Sequence, residues 1–246
     1  MRGSIVIDRR FRGPPSSGNG GYSCGRLAAF VEGSAEVTLH KPPPLDTEMS
    51  VIDEADGSVG MYDADRLIAT ARSAEAPVTP RVSPAFEEAI AASGRTFPPT
   101  AHKLPMCFVC GPDRAPGDGL RIHCGPLDPG DLDWSSVVAA GWIPAADMTD
   151  ETGKIAPEFV WASLDCPTAY ASGSSQGFPT ILLGRQAVRI DRRPDVGERC
   201  VVTAWRTARE GRKYRAESAL LGADGKPLAV CRATWIEVDR DVQRGL

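Results

Sequence analysis

Residues 13–30 read Gly-Pro-Pro-Ser-Ser-Gly-Asn-Gly-Gly-Tyr-Ser-Cys-Gly-Arg-Leu-Ala-Ala-Phe, a glycine-rich turn running straight into a helical pattern. Pro14, Pro15 and Gly18 exclude regular structure, and Asn19 has the side chain of a helix N-cap. Tyr22, Leu27, Ala28 and Phe30 then supply apolar groups at helical spacing. The first turn would hold Gly20 and Gly21, whose backbone N–H groups have no acceptor within the helix. Lacking side chains, these glycines let another group approach the donors closely. Such an end attracts negative charge, including the partial charge on a polarised carbonyl oxygen. A helix start merely loosened by glycine is the plainer alternative.

The chain continues with strand patterns at residues 35–41, 49–53, 58–63 and 67–74, broken by Pro42, Pro43 and Pro44 and by the turn Glu54-Ala-Asp-Gly57. Residues 76–105 differ: Pro77, Pro80, Pro84, Pro98, Pro99 and Pro105 predict a surface connector with one helical patch at 84–92. A strand is expected at 134–143 and a polar loop at 147–154. A second helix is predicted over 157–172, with Pro157 in its first turn. Its apolar face would be Phe159, Val160, Leu164 and Ala171, with Trp161 nearby. Strands at 180–190, 199–206, 214–221 and 229–238 follow, with hairpin turns at Arg209-Glu-Gly-Arg212 and Gly222-Ala-Asp-Gly225. The second half thus repeats the plan of the first, one helix and then an antiparallel sheet, an α+β organisation. Its divisions would be 1–76, a connector at 77–106, and 107–246.

Composition removes several classes of function. A net charge of −4 and a pI near 5.5 provide no electrostatic reason to expect nucleic acid as a partner. No apolar run is long enough to span a bilayer, so no membrane partner is expected, and residues 1–12 lack the apolar core of a signal peptide. Seven cysteines without a disulfide-like rhythm predict a reducing cytoplasm.

A helix laid across a strongly curved antiparallel sheet, twice over, resembles the double-hotdog arrangement. Cys107-Phe-Val-Cys-Gly-Pro…Gly-Leu-Arg-Ile122 is similar to the Cys-Gly…Gly-Leu lead-in of many hotdog acyl-CoA thioesterases. Residues 13–30 and 35–45 resemble the first half of double-hotdog, thioesterase-like proteins. The resemblance covers most of the chain outside the proline-rich connector. It implies hydrolysis of an acyl-CoA or acyl-carrier thioester without a cofactor, in a chain able to pair further as a homodimer.

In that family a His-Gly-Gly turn starts the hotdog helix, and an acidic residue further along acts as nucleophile or as base for water. Laid on this sequence, the pattern puts Asp165 on the acidic position, nine residues after Ala156. Ala156-Pro157-Glu158 departs from His-Gly-Gly, so this helix start lacks open donors. The same spacing from Asn19 lands on Ala28. One half keeps the glycines, with Asn19 in place of histidine, and the other keeps the acid. The resemblance therefore implies one composite site, with Asn19, Gly20 and Gly21 facing Asp165. Tyr22 and Trp161 are the candidates for substrate contact, and Arg192 and Arg193, in a cluster with Arg185 and Arg189, for coenzyme A phosphates.

Two rival functions stay open: an acyl-thioester binding protein without turnover, and a hotdog hydratase. The hydratase needs an Asp/His pair, and His40, His102 and His123 lie away from both helix starts in sequence. Cys107-x-x-Cys110 resembles half a zinc site, with His123-Cys124 close enough in sequence to complete it. Without a second Cys-x-x-Cys, the cysteines are expected to serve turn and packing roles, with no metal. No Gly-x-Ser-x-Gly marks a serine hydrolase, and Asp46 fits a turn.

Overall fold

The computed structural model describes residues 1–134, 136–177 and 179–239. Strand β1 is Gly3–Val6, and helix α1 is Gly20–Ala28. Strands β2 (Ala35–Leu39), β3 (Glu48–Asp53), β4 (Val59–Asp63) and β5 (Arg66–Ser73) complete the first half. Helix α2 is Phe86–Ser93, and the short strands β6 (Gly125–Pro126) and β7 (Val138–Trp142) follow. Helix α3, Pro157–Tyr170, precedes the long strands β8 (Ile181–Ile190), β9 (Cys200–Glu210), β10 (Lys213–Leu221) and β11 (Pro227–Glu237).

All described strands join one antiparallel sheet in the order β1-β3-β4-β5-β2-β8-β11-β10-β9-β7-β6. The two halves are sewn together where β2 pairs with β8, from Ala35 opposite Val188 to Thr38 opposite Arg185. This continuous antiparallel sheet is the arrangement the sequence predicts. No helix among the described residues is long and apolar enough to cross a membrane.

Helices α1 and α3 run antiparallel and touch through glycine. A Cβ at Gly25 would stand 2.6 Å from Glu158 Cα and 2.9 Å from Trp161 Cβ, and one at Gly21 would overlap the Asp165 side chain. The backbones therefore approach more closely than any larger residue allows. Helix α3 is buried nearly all round, from Phe159 to Tyr170, rather than along the one face its sequence predicts. It packs on α1 and on the second-half strands at once, so it has no solvent side to keep polar. Pro167 removes one helical hydrogen bond. Side chains from the sheet grip the α3 backbone instead: Gln186 donates to the Trp161 carbonyl at 3.0 Å and Ser218 to the Leu164 carbonyl at 2.8 Å.

Strand β1 lies at the edge of the sheet, with Ile5 and the flanking Ile7 fully buried. Two expectations need correction. The predicted strand at 134–143 begins only at Val138, and residue 135 lies outside the described residues. Trp134 takes a left-handed φ of 50° and stacks with Phe97 and Tyr170, which ends extended structure there. Finally, the proline-rich connector is not confined to the surface. Phe97 enters the main core, and Ala89 and Ala92 of α2 pack with Ala139, Val201 and Trp205 in a second apolar cluster.

The helix contact makes a direct prediction. Gly25→Leu should overpack the α1–α3 interface and lower stability by about 1–3 kcal/mol or more, read as a reduced urea midpoint. An unchanged midpoint would mean the helices are free to separate.

Candidate functional site

Asn19 caps α1, its Oδ1 accepting from the Tyr22 N–H at 2.9 Å. The other end of the same amide leaves the helix, and Nδ2 donates to Asp165 Oδ2 at 2.9 Å. The Gly21 N–H donates to that same oxygen at 3.1 Å. The acid thus sits on the positive end of α1, held by two donors, and Asn19, Gly21 and Asp165 are brought together. Asn19 and Asp165 are 2% and 1% exposed, so solvent screening there is weak. The second carboxylate oxygen, Oδ1, is buried with no hydrogen-bond partner among the described residues. Burial pushes the Asp165 carboxyl up to about 7, against the opposing pull of the Gly21 N–H and the Asn19 amide.

Asn19, Gly20 and Asp165 line a cavity of about 220 Å³. Its walls are largely apolar, from Leu104, Ile181, Leu183, Trp235 and Ile236. Pro14, Pro42 and Pro43 form a further side of it, where two proline turns meet. Gly20 is required here for space, since a Cβ would stand 2.8 Å from Leu183 Cδ2.

The proposed substrate contacts are placed elsewhere. Tyr22 is buried in an aromatic cluster, stacked on Phe11 at 4.1 Å and near Phe108 and Phe159, and does not line this cavity. Trp161, Arg192 and Arg193 line a separate concavity with Gly25, Ala28 and Pro157, at the other end of the helix pair. Both arginines there are engaged: Arg192 pairs with Glu198 at 2.6 Å, and Arg193 with Asp150. None of the four reaches the Asp165 cavity, because the start of α3 lies beside the later half of α1 rather than beside its glycines.

Sequence inspection missed a third thiol. Cys107, Cys110 and Cys166 are buried with their sulfur atoms all within 4.8 Å of one another, and all three line the Asp165 cavity. Cys107 and Cys166 are 3.7 Å apart, and Cys166 Sγ is 3.9 Å from Asp165 Oδ2. Hydrogen bonds from Cys110 and then Cys166 draw the Cys107 thiol well below its ordinary value, and the Cys166 thiol is pushed well above. The adjacency of Cys166 to Asp165 was the available signal. His102 is buried and held down to about 4 by burial, whereas His40 sits on the surface against Thr70.

The raised Asp165 value has a consequence for stability. The native state keeps this proton between about pH 4 and about 7 while the unfolded chain, near 3.8, releases it. Stability should therefore fall as pH rises through that window. In chelator-treated protein, Asp165→Asn should flatten this part of the urea-midpoint profile. An equally sloped profile would place the proton elsewhere.

No family model matches the chain, and no curated protein matches it. Solved structures do. A conserved hot dog fold protein from Alicyclobacillus acidocaldarius superposes with a TM-score of 0.60 at 11% identity, covering 96% of this chain and 92% of that one. A protein provisionally named thioesterase II from Thermobifida fusca has a TM-score of 0.60 at 13% identity, with the same 96% and 92% coverage. The tesB protein of Mycobacterium avium subspecies paratuberculosis has a TM-score of 0.57 at 14% identity, over 90% of this chain and 88% of that one. At such identities the likeness speaks to architecture, and it agrees with the sheet and helices described above. The chain has the hotdog fold.

Proposed function

We propose that the chain is a double hotdog that hydrolyses an acyl thioester, carried by coenzyme A or a carrier protein, at one composite site between its halves. The observation that carries this is the convergence of the Gly21 N–H and the Asn19 amide on one oxygen of Asp165, a residue that lines an apolar cavity and whose other oxygen has no partner among the described residues. The halves would be residues 1–76 and 107–246, with 77–106 joining them, in a cytoplasmic protein.

The chemistry follows from these placements. The acyl chain lies against Leu104, Leu183 and Trp235, and the thioester carbonyl points at the Gly20 N–H, which the helix leaves without an acceptor. Asp165 Oδ1 takes a proton from water as the water oxygen attacks the carbonyl carbon. The tetrahedral oxyanion is stabilised at the helix start, where one fixed donor contributes about 3–4 kcal/mol. Collapse breaks the carbon–sulfur bond, and the proton passes to the leaving thiolate. The products are a carboxylic acid and a thiol. Asn19 and Gly21 act through Asp165, holding the carboxylate in place.

Hydrolysis of an acyl-CoA panel, followed by thiol release, tests this. Asp165→Asn should retain acyl-CoA binding while kcat falls by about 100-fold or more, comparable to losing an oxyanion donor. Gly21→Val should also impair turnover, since its side chain would displace Asp165. Wild-type turnover in Asp165→Asn would refute the site. Wild-type protein that binds acyl-CoA without hydrolysing it would favour the binding-protein alternative.

A further inference from the structure

The sulfur cluster has features that packing alone does not require. Cys107 to Cys110 forms a tight loop closed by the Gly111 N–H donating to the Cys107 carbonyl at 2.8 Å. Gly111 admits no side chain, because a Cβ would stand 2.5 Å from the Pro105 carbonyl oxygen and 2.6 Å from Cys107 N. This closed loop sets Cys107 and Cys110 together in the cavity wall. Cys166 then enters from α3, a different part of the chain.

The dimensions fit a metal. A zinc–sulfur bond is about 2.3 Å, so two sulfurs on a tetrahedral ion lie roughly 3.8 Å apart. Cys107 and Cys166 stand 3.7 Å apart, and the three sulfurs all fall within 4.8 Å. Asn19 Nδ2 is 3.8 Å from Cys107 Sγ and 4.0 Å from Cys166 Sγ, where it can support two thiolates as an outer partner. We propose that Cys107, Cys110 and Cys166 bind one thiophilic d¹⁰ ion, zinc in the first instance, with its fourth position open to the cavity.

Three sulfur ligands and one open position form the pattern of a zinc site that receives water or a small ligand, rather than a closed structural one. Soft thiolate donors select zinc or copper(I) over magnesium or calcium. Binding releases the thiol protons, giving three thiolates around a dipositive ion. The expectation of metal-free cysteines rested on the absence of a second Cys-x-x-Cys. Folding supplies a third thiol from residue 166.

Metal content tests the proposal independently of any hydrolytic activity. Wild-type protein, purified with a non-thiol reductant and equilibrated with zinc and then with metal-free buffer, should retain close to one zinc per chain. Loaded with cobalt(II) instead, it should show an intense thiolate-to-metal charge-transfer band and the visible spectrum of tetrahedral cobalt. Cys166→Ser should weaken zinc binding by about 100-fold or more, since even an outer partner of a ligand is worth 10–100-fold. Cys124→Ser, outside the cluster, should bind as wild type does. The proposal fails if reduced wild-type protein retains less than a tenth of an equivalent of zinc and gives no cobalt charge-transfer band. It fails equally if Cys166→Ser binds with unchanged affinity. The wild-type readouts decide the matter even where a variant does not fold.

Discussion

The glycine-mediated contact between α1 and α3 is what the rest of the site depends on. Gly21 and Gly25 remove the side chains that would hold the helices apart, and the gap is filled by Asp165 at one point and by Glu158 and Trp161 at the other. Close approach brings an acid from one helix onto the positive end of the other, where backbone donors can compensate its charge. With ordinary spacing Asp165 would be a buried carboxylate without donors, and burying a charge unpaired is among the least tolerable changes in a protein core. The sheet reinforces the arrangement from behind, through Gln186 and Ser218 on the α3 backbone.

That close approach also explains how an apolar cavity can hold polar chemistry. Asn19 is shared, capping its helix with one atom and holding Asp165 with another, and Asp165 accepts both donors on one oxygen while the other is buried without a partner among the described residues. Few groups could be exchanged without stranding a neighbour. Thr168 shows the same economy one turn on, accepting from Trp235 Nε1 at 2.7 Å and donating to the Asp165 carbonyl at 2.6 Å.

Much of this was legible in the residues. Asn19-Gly20-Gly21 announces a capped helix start without side chains, and a carboxylate at Asp165 amid Leu164 and Cys166 announces a buried acid. The sequence put the glycines in one half and the acid in the other, and the fold brings Gly21 and Asp165 together. Alternation is visible in β3, whereas Cys200–Trp205 of β9 is buried on both faces, one against each apolar cluster, and reads as a nearly continuous apolar run. What failed depended on direction in space. Arg192 and Arg193 follow β8 and look available in sequence, yet Glu198 and Asp150 take them up at the far end of the helix pair. Tyr22 follows the glycines directly but turns to Phe11. Cys166 was invisible as a partner of Cys107 because 59 residues separate them and no local pattern spans that distance. The connector misled for a compositional reason: prolines argue against regular structure but say nothing about whether Phe97 is buried.

The seam between β2 and β8 has a further consequence. A dimer of identical subunits repeats each substitution at both symmetry-related positions, so a change that suits one end of a helix pair is imposed on the other. Here one polypeptide contributes both helices to one sheet, and each end can drift alone. The Gly20-Gly21 start and the Pro157-Glu158 start are the visible result: one end stays open around a carboxylate, and the other is closed by a proline ring and flanked by ion-paired arginines. A single chain can hold two unlike helix starts side by side, which a symmetric pair of identical subunits cannot.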